Sequence, residues 1–235
     1  MNHCVVNVAT GRYTAGQRRL KACVDSQADF LAWADCLPPH SPPHHEYPYA
    51  FKAHAIAAAV ASGYEQILWA DACIRFQHPL DAFWERAARD GAWVSRNGWK
   101  NYEWSADTFY EHAGITRQEN WKIPHVVATT FALDLRHPSG RAIYDEYFRL
   151  SNTPAIQGPW WNRNHPDHAN KPHMSGNRLW CDPCGPADVI GHRHDQSILS
   201  MLAHHHQIPL TDPPSWFAYA GGEIPSTILL ADGKY

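Results

Sequence analysis

The sequence predicts an α/β fold in which helices flank a mainly parallel sheet. Between residues 5 and 97, short apolar or β-branched runs alternate with longer helical segments, in the order strand, helix, strand, helix, strand, helix, strand. Polar residues follow directly after buried strands, which is typical of sheets that bind ligands at the carboxyl ends of parallel strands. The length of 235 residues suits a single domain with one long irregular segment.

Residue periodicity and turn residues place the elements of the first half. The predicted strands cover residues 5–9, 29–36, 66–70 and 92–97, and the predicted helices cover 15–24, 49–63 and 79–91. The segment 37–48 is rich in Pro and His and is predicted to be a loop, because each Pro removes a backbone donor and disfavours helix at the residue before it.

The second half is less regular. Residues 125–135 are predicted to form one strand, 137–152 a helix and 194–206 a further helix with Asp195 in or near its first turn. Residues 157–191 are rich in Trp, Asn, His, Pro and Gly and show no periodicity, so we expect a lid or binding loop there.

Composition narrows the class of protein. The net charge is -3 and the pI is about 6.6, so no general positive field attracts a polyphosphate chain and nucleic acid is disfavoured as a partner. No stretch approaches the roughly 20 apolar residues that cross a bilayer, and a cytoplasmic location is the simplest interpretation. The 6 cysteines are too sparse for a disulfide scaffold, and most are expected to be reduced and buried.

The segment QILWADACIRF, residues 66–76, carries the first functional signal. Asp71 follows an apolar run at a strand end, and a hard carboxylate at a sheet edge suits Mg²⁺ or Mn²⁺ held together with phosphate, or the ribose of a nucleotide. The alternative is a carboxylate that only caps the following turn.

Four stretches of the chain together resemble the nucleotide-diphospho-sugar transferases of the GT-A fold, a family of glycosyltransferases. They are VVNVATGRY, YAFKAHAIAAAVASGYEQILWADACIRFQHPLD, TTFALDLRHPSG and GHRHDQSILSMLA. In that family a helix bearing a Lys precedes a strand that ends in an Asp-x-Asp (DXD) motif, and an acidic motif later begins a helix near the sugar. The resemblance covers most of residues 5–100 and 125–210.

The resemblance implies a transferase that moves a sugar from a nucleotide-diphosphate donor, with a UDP-sugar favoured, to a hydroxyl acceptor such as a glycan. It implies one GT-A-like domain over residues 1–235, with a nucleotide-binding half at 1–100 and an acceptor-side half at 101–235. Together with the local sequence it assigns nucleotide binding to Ala9, Thr10, Tyr13, Arg18, Lys52 and Asp71, catalysis to Asp195 and His194, substrate binding to Trp160, Trp161, Arg163 and Gln196, and metal binding to Asp71 and His194.

Cys73 departs from the family pattern, because it stands where the second DXD carboxylate is expected. A thiol is a poor ligand for a hard cation such as Mn²⁺ or Mg²⁺. Three outcomes stay open: Asp71 binds the metal with help from elsewhere, the enzyme is metal-independent and neutralises the pyrophosphate with Lys or Arg, or the protein is a non-catalytic relative. Cys73 also fits a small buried residue without a role in the site.

The remaining candidates have structural alternatives. Asp195 is also explained as a helix N-cap. Cys181 and Cys184, followed by His192 and His194, have a spacing that permits zinc, although the two-residue histidine spacing makes zinc the less favoured interpretation. The competing functions are a glycan- or nucleotide-binding protein without activity, a metal-dependent nucleotide hydrolase or nucleotidyltransferase, and a zinc-stabilised interaction protein.

Overall fold

A computed structural model describes residues 3–162, 164–168, 185–213, 215–222, 224–225 and 227–231. The strands are β1 His3–Ala9, β2 Asp29–Ala34, β3 Gln66–Ala70, β4 Ile74–Phe76, β5 Ala92–Trp93, β6 Arg96–Lys100, β7 Pro124–Val126, β8 Thr130–Asp134, β9 Phe217–Tyr219 and β10 Leu229–Ala231. The helices are α1 Tyr13–Val24, α2 Ala50–Ala61, α3 Asp81–Asp90, α4 Asp107–Ala113, α5 Arg117–Asn120, α6 Pro138–Ser151 and α7 Asp195–His205.

The central sheet has the strand order β2-β1-β3-β8-β5. Strand β1 pairs in parallel with both β2 and β3, whereas β8 is antiparallel to β3 and to β5. Every strand of this sheet except β8 therefore points the same way, and the predicted mainly parallel α/β sheet is confirmed. From β1 the chain first adds β2 on one side and then β3 on the other, which creates a topological switch point between β1 and β3.

Alternation along the strands divides the core into two layers. Val5 and Leu68 point to the layer that contains α1 and α3, while Val6 and Trp69 point to the layer that contains α2, α6 and α7. Since both faces of the central sheet are covered, β3 is buried along its whole length, as its unbroken apolar run predicts. Asp71 follows Trp69 by two residues and so lies on the side of α2.

Some predicted boundaries were wrong. The strand predicted at 125–135 is two strands, β7 and β8, separated by residues 127–129, and the strand predicted at 92–97 is divided between β5 and β6. Strand β7 pairs with β6 in a separate two-stranded sheet, and β4, β10 and β9 form a third small sheet. The backbone carbonyls of Ala128 and Thr129 accept hydrogen bonds from Lys52 and from the amide of Asp71, so they are turned away from the sheet.

Among the residues that the structure describes, no helix has the length and apolar character needed to span a membrane.

Candidate active site

Asp71 lies at the carboxyl end of β3, where two contacts fix it. The indole Nε1 of Trp69 donates to Asp71 Oδ1 at 2.8 Å, and the Asp71 amide donates to the carbonyl of Thr129 at 2.7 Å. The side chain of Asp71 is 27% exposed, so it is held in place and still reaches solvent. The sequence placed this carboxylate correctly at a sheet edge, and the break before β8 supplies its backbone partner.

Lys52 joins Asp71 to Asp195. Its ammonium lies 3.2 Å from Asp71 Oδ1 and 3.0 Å from Asp195 Oδ2, and it donates to the carbonyl of Ala128 at 2.8 Å. The ammonium therefore makes one hydrogen bond, to the Ala128 carbonyl, and two ion pairs, to Asp71 and Asp195. The Lys52 side chain is 3% exposed. The two carboxylates raise its pKa despite burial, so Lys52 is a permanent buried cation between them.

Lys52 reaches this position because α2 starts abruptly. Tyr49, the residue before the helix, has φ 64°, a left-handed conformation that few residues other than Gly adopt. Lys52 follows in the first turn, and its Nζ lies 5.2 Å from the ring centroid of Tyr49 and 5.3 Å from that of Trp69. The two aromatic faces enclose the ammonium and add cation–π attraction to the ion pairs.

Asp195 is the first residue of α7 and is not its N-cap. His194 occupies the N-cap position with φ 53° and ψ -120°, and it makes no side-chain capping hydrogen bond. The carboxylate of Asp195 turns to Lys52 instead. Burial raises the pKa of Asp195 to about 6, against the opposing attraction of Lys52. The strained backbone at His194 thus accompanies a buried, unusually basic carboxylate.

A cavity of about 410 Å³ opens beside Asp71 at the switch point between β1 and β3. Its walls come from the ends of both strands and from residues around the start of α2. The lining residues are Val8, Ala9, Thr10, Tyr13, Leu37, His44, Tyr49, Phe51, Asp71, Ala72, Cys73 and Thr129. Its volume and mixed polar and aromatic walls are typical of small-ligand sites.

Two depressions elsewhere are slightly larger. One of about 500 Å³ lies at the end of α7 beside His204 and His205, and one of about 460 Å³ lies beside β9. We assign the site to the cavity beside Asp71, because it alone of the three combines the switch point with a carboxylate that is tied to a buried cation.

The cavity brings together most of the residues predicted to bind nucleotide. Ala9, Thr10 and Tyr13 line it together with Asp71, as does Cys73. Arg18 is exposed on α1 and does not line it. The next residue, Arg19, directs a guanidinium nitrogen to the carbonyls of Ala72 at 3.5 Å and Cys73 at 3.4 Å, and so braces the turn that carries Asp71.

The donor set around Asp71 does not fit a divalent cation well. Within the described ranges, no group of three or more His, Cys, Asp or Glu side chains is arranged to hold a metal ion. The expected metal pair, Asp71 and His194, therefore has no third such ligand within those ranges. Lys52 already supplies a positive charge between Asp71 and Asp195, and Cys73 offers sulfur where a hard cation requires oxygen.

His192 and His194, in the loop that precedes α7, both contact backbone carbonyls of the segment 155–156, and His194 Nε2 has no hydrogen-bond partner among the described residues. His192 accepts from the amide of Ala106 at 3.2 Å through Nδ1, and its Nε2 lies 3.1 Å from the carbonyl of Ala155. Both ring nitrogens are therefore engaged, and His192 has no lone pair left for zinc. His194 Nδ1 lies 2.9 Å from the carbonyl of Ile156. Cys181 and Cys184, the other half of the zinc pattern, lie outside the described residues.

Next to Asp195, four tryptophans surround Arg193, and we call this group the arginine cage. The guanidinium carbon lies 4.0 Å from the ring centroid of Trp104, 4.5 Å from Trp160, 5.2 Å from Trp161 and 5.7 Å from Trp99. The predicted substrate residues Trp160 and Trp161 thus lie together around an arginine, with Trp160 5.3 Å from the ring of His194.

Gln196 lies beside the cage. Its side-chain amide donates to the carbonyl of Val126 at 2.6 Å and lies 3.5 Å from His125 Nδ1. Arg163, the remaining predicted substrate residue, is outside the described residues.

Several residues of the site were missed from the sequence: Tyr49, Trp69, His125 and Arg193. Trp69 precedes Asp71 by two residues, and Arg193 precedes Asp195 by two residues. Their closeness in sequence to the two carboxylates could have indicated that they belong to the site. The roles of Tyr49 and His125 had no local signal, because they depend on contacts with distant segments.

No known family model matches the chain, and no curated protein matches it significantly by sequence. Solved structures do match. A glycosyltransferase involved in the glycosylation of the major capsid of PBCV-1 aligns with a TM-score of 0.50 and 10% identity, over 97% of this chain and 91% of that chain. The predicted GT-A fold is confirmed by this match, which at such low identity defines the fold alone.

Two further glycosyltransferase structures align over similar lengths with lower scores. Mouse xyloside xylosyltransferase 1 in its apo form gives a TM-score of 0.47 and 10% identity, over 98% of this chain and 97% of that chain. The galactosyltransferase LgtC, in complex with donor and acceptor sugar analogues, gives 0.43 and 11%, over 97% and 86%.

Proposed function

We propose that this protein is a glycosyltransferase that transfers a sugar from a nucleotide-diphosphate donor to a hydroxyl group of an acceptor, with a UDP-sugar as the favoured donor. The observation that carries the proposal is the cavity at the β1–β3 switch point, where Asp71 is linked through Lys52 to Asp195. The fold shared with the glycosyltransferase involved in the glycosylation of the PBCV-1 major capsid supports the same reaction class.

The nucleotide is proposed to occupy the cavity beside Asp71. Tyr13, which is 38% exposed at the cavity wall, offers a ring against which a base can pack, and Thr10 offers polar groups at the end of β1. The partly exposed Asp71 carboxylate then accepts hydrogen bonds from ribose hydroxyls. This arrangement follows the general rule that ligands of open α/β sheets bind where the strand order reverses.

Lys52 is proposed to position the carboxylates without binding the phosphates itself. Its ammonium is already held between the two carboxylates and the carbonyl of Ala128. Because Asp71 and Asp195 share this one cation, displacement of either carboxylate alters the other. Lys52 also takes the central place that a metal would need in order to bridge both groups, so we propose that donor binding does not require Mn²⁺ or Mg²⁺.

Asp195 is proposed to hold the donor sugar by accepting hydrogen bonds from its hydroxyls. A carboxylate with a pKa of about 6 is ionised at neutral pH, so it is both an acceptor and a source of negative potential beside the anomeric carbon. In the transfer, the bond from the anomeric carbon to the diphosphate oxygen breaks and a bond to the acceptor oxygen forms. The proton of the acceptor hydroxyl passes to the departing diphosphate.

Thermal-shift titration with UDP, GDP, CDP, TDP and their sugar conjugates, each with EDTA or with Mn²⁺, tests the proposal. We expect one nucleotide to raise the melting temperature in EDTA, and Asp71→Asn to remove that increase. Asp145→Asn, an exposed carboxylate on α6, is the matched control and should behave as wild type. If no nucleotide stabilises the protein in either condition, the transferase proposal is wrong. If a nucleotide stabilises the protein only with Mn²⁺, the proposed metal independence is wrong but the transferase proposal stands.

A binding protein without activity is the second candidate, because Cys73 stands in place of the expected carboxylate. Both candidates bind the nucleotide, so a product assay separates them. Release of UDP from a UDP-sugar only when an acceptor is added indicates transfer, whereas binding without release in the presence of a broad acceptor mixture indicates the binding protein. Release without an acceptor indicates the hydrolase alternative.

A further inference from the structure

Arg193 is a cation without an anionic partner in the described part of the chain. Within those ranges, no carboxylate forms an ion pair with its guanidinium, and its buried Nε has no hydrogen-bond partner. The four tryptophans that surround it supply π faces, which attract the charge but do not satisfy its N–H groups. Burial among these rings lowers the pKa of Arg193 to about 10, and it therefore stays charged at neutral pH.

Two further donors of the same cluster are also unsatisfied. Trp104 Nε1 and His125 Nε2 are buried and have no hydrogen-bond partner among the described residues. Trp104 stacks on Trp99 with a centroid separation of 4.7 Å, and Trp99 in turn lies 5.8 Å from His125. His125 is completely buried.

The proton of His125 can be assigned from its neighbours. Asn97 accepts from the amide of Trp99 through Oδ1 at 3.1 Å, which makes its Nδ2 the donor 2.8 Å from His125 Nδ1. His125 Nδ1 is therefore an acceptor, and the neutral ring carries its hydrogen on Nε2. The burial that lowers the pKa of His125 to about 3 keeps the ring neutral. Its unsatisfied nitrogen is thus a donor, like those of Arg193 and Trp104.

We propose that the arginine cage is an acceptor subsite that binds a negatively charged sugar through a carboxylate or phosphate group. The inference rests on the proposed glycosyl transfer and adds the charge class of its acceptor. Three unsatisfied N–H donors, one of them on the unpaired cation Arg193, lie in a single cluster and call for a ligand rich in acceptor oxygens. A neutral hydroxyl would satisfy the donors less well and would leave the arginine charge uncompensated.

The position of the cage favours the acceptor over the donor diphosphate. Neither Arg193 nor any of the four tryptophans lines the cavity beside Asp71. Tyr49 lines that cavity, and its ring packs 6.1 Å from Trp160 and 5.6 Å from His194, so it lies between the two regions. Trp99 is 43% exposed and offers a ring face on which the body of a sugar can pack.

The test measures the affinity of glucuronate, glucose 6-phosphate and glucose by isothermal titration calorimetry, with and without UDP. We expect at least one of the two anionic sugars to bind about tenfold or more tightly than glucose, since hydrogen bonds to charged groups are the stronger class. Preference for glucuronate identifies a carboxylate acceptor, and preference for glucose 6-phosphate identifies a phosphorylated one.

Arg193→Gln should bring the ratio of anionic to neutral affinity close to one while UDP still stabilises the protein. Arg141→Gln is the matched control, because Arg141 also stacks on an aromatic ring, Tyr144, at 5.7 Å but lies on the exposed face of α6. If Arg193→Gln does not fold, Trp104→Phe removes the Nε1 donor but keeps an aromatic ring, and it should reduce the ratio several-fold.

Equal affinity of the wild type for all three sugars overturns the subsite, as does an unchanged ratio in Arg193→Gln. If Arg193→Gln instead loses UDP binding and keeps the ratio, the arginine serves the donor and the inference is wrong. Failure of every nucleotide to stabilise the wild type contradicts the proposed function itself, which separates the two failures.

Discussion

At the scale of single residues, the site depends on the pairing of one buried cation with two carboxylates. In the described part of the chain Lys52 forms ion pairs with both Asp71 and Asp195, and its ammonium also donates to the carbonyl of Ala128. A buried ion pair contributes little net stability when compared with an apolar replacement of both partners, but removal of one partner leaves an uncompensated buried charge. The residue is therefore far more sensitive to single substitution than an exposed lysine.

Lys52→Met should lower the free energy of unfolding by about 3–5 kcal/mol, the usual cost of leaving a buried charge unpaired. It should also abolish nucleotide stabilisation, because Asp71 and Asp195 then repel each other. Urea unfolding at pH 7 measures the first effect, and thermal shift with UDP measures the second. Lys122→Met, at an exposed position, is the control and should change neither result. A Lys52→Met protein as stable as the control contradicts the buried bridge.

At the scale of elements, the loop before α7 is fixed against the segment that carries Trp160. A Cβ added to Gly191 would lie 2.1 Å from the carbonyl oxygen of Trp160, closer than any Cβ contact allows. Gly191 lies three residues before His194, whose backbone has φ 53°, and Arg193 and Asp195 flank that residue. A shift of this close backbone contact is therefore expected to move both functional groups.

Gly191→Ala should separate the two segments and move Arg193 and Asp195 together. We expect a loss of stability of about 2 kcal/mol or more, from overpacking against backbone that cannot yield, and a loss of transfer activity larger than the loss of folded protein. Urea unfolding and an activity assay on the folded fraction measure these effects. Gly222→Ala, where the new Cβ would meet only the carbonyl of Tyr219 at 3.4 Å, is the control and should behave as wild type.

The strands of the central sheet could be predicted from the sequence, whereas the breaks in them and the short strands β4, β9 and β10 could not. The apolar run of β3 and the alternating pattern of helices indicated the sheet, because burial on both faces requires continuous apolar residues. The division of residues 125–135 was missed, since the apolar character continues through Val127 and Ala128 while their backbone leaves the sheet. At the break, the carbonyl of Ala128 accepts a hydrogen bond from Lys52 Nζ, and the carbonyl of Thr129 accepts one from the backbone amide of Asp71.

At the scale of the whole molecule, three buried neutral histidines near the site make the stability of the fold depend on pH. Burial lowers the pKa of His125 to about 3 and of His192 to about 4, and it lowers that of His194 well below the ordinary 6.5. The unfolded chain takes up these protons near pH 6.5, but the folded protein does not. Acid therefore favours unfolding.

Stability should fall as the pH decreases from 6.5 to 4, by about 3 kcal/mol from His192 alone. Asp195 acts in the opposite direction, because its raised pKa makes the folded state bind a proton first, but one carboxyl offsets only one histidine. Urea unfolding across this range measures the slope. His125→Gln should reduce the slope of unfolding free energy against pH by the equivalent of one proton taken up on unfolding. His45→Gln, at a site that is 79% exposed, should leave this slope unchanged. A stability that rises towards pH 4 contradicts the prediction.

The sequence by itself determined the α/β class, the order of most elements and the place of Asp71 at a strand end, because periodicity and strand-end polarity are local properties of the chain. Only the tertiary structure decided what Asp71 does. Lys52 and Ala128 are 76 residues apart in sequence, and their contact arises only when α2 packs over the break before β8. The arginine cage likewise draws tryptophans from separate segments around Arg193. Local sequence patterns do not predict such contacts, because the contacts depend on how segments that are distant in sequence pack together in the core.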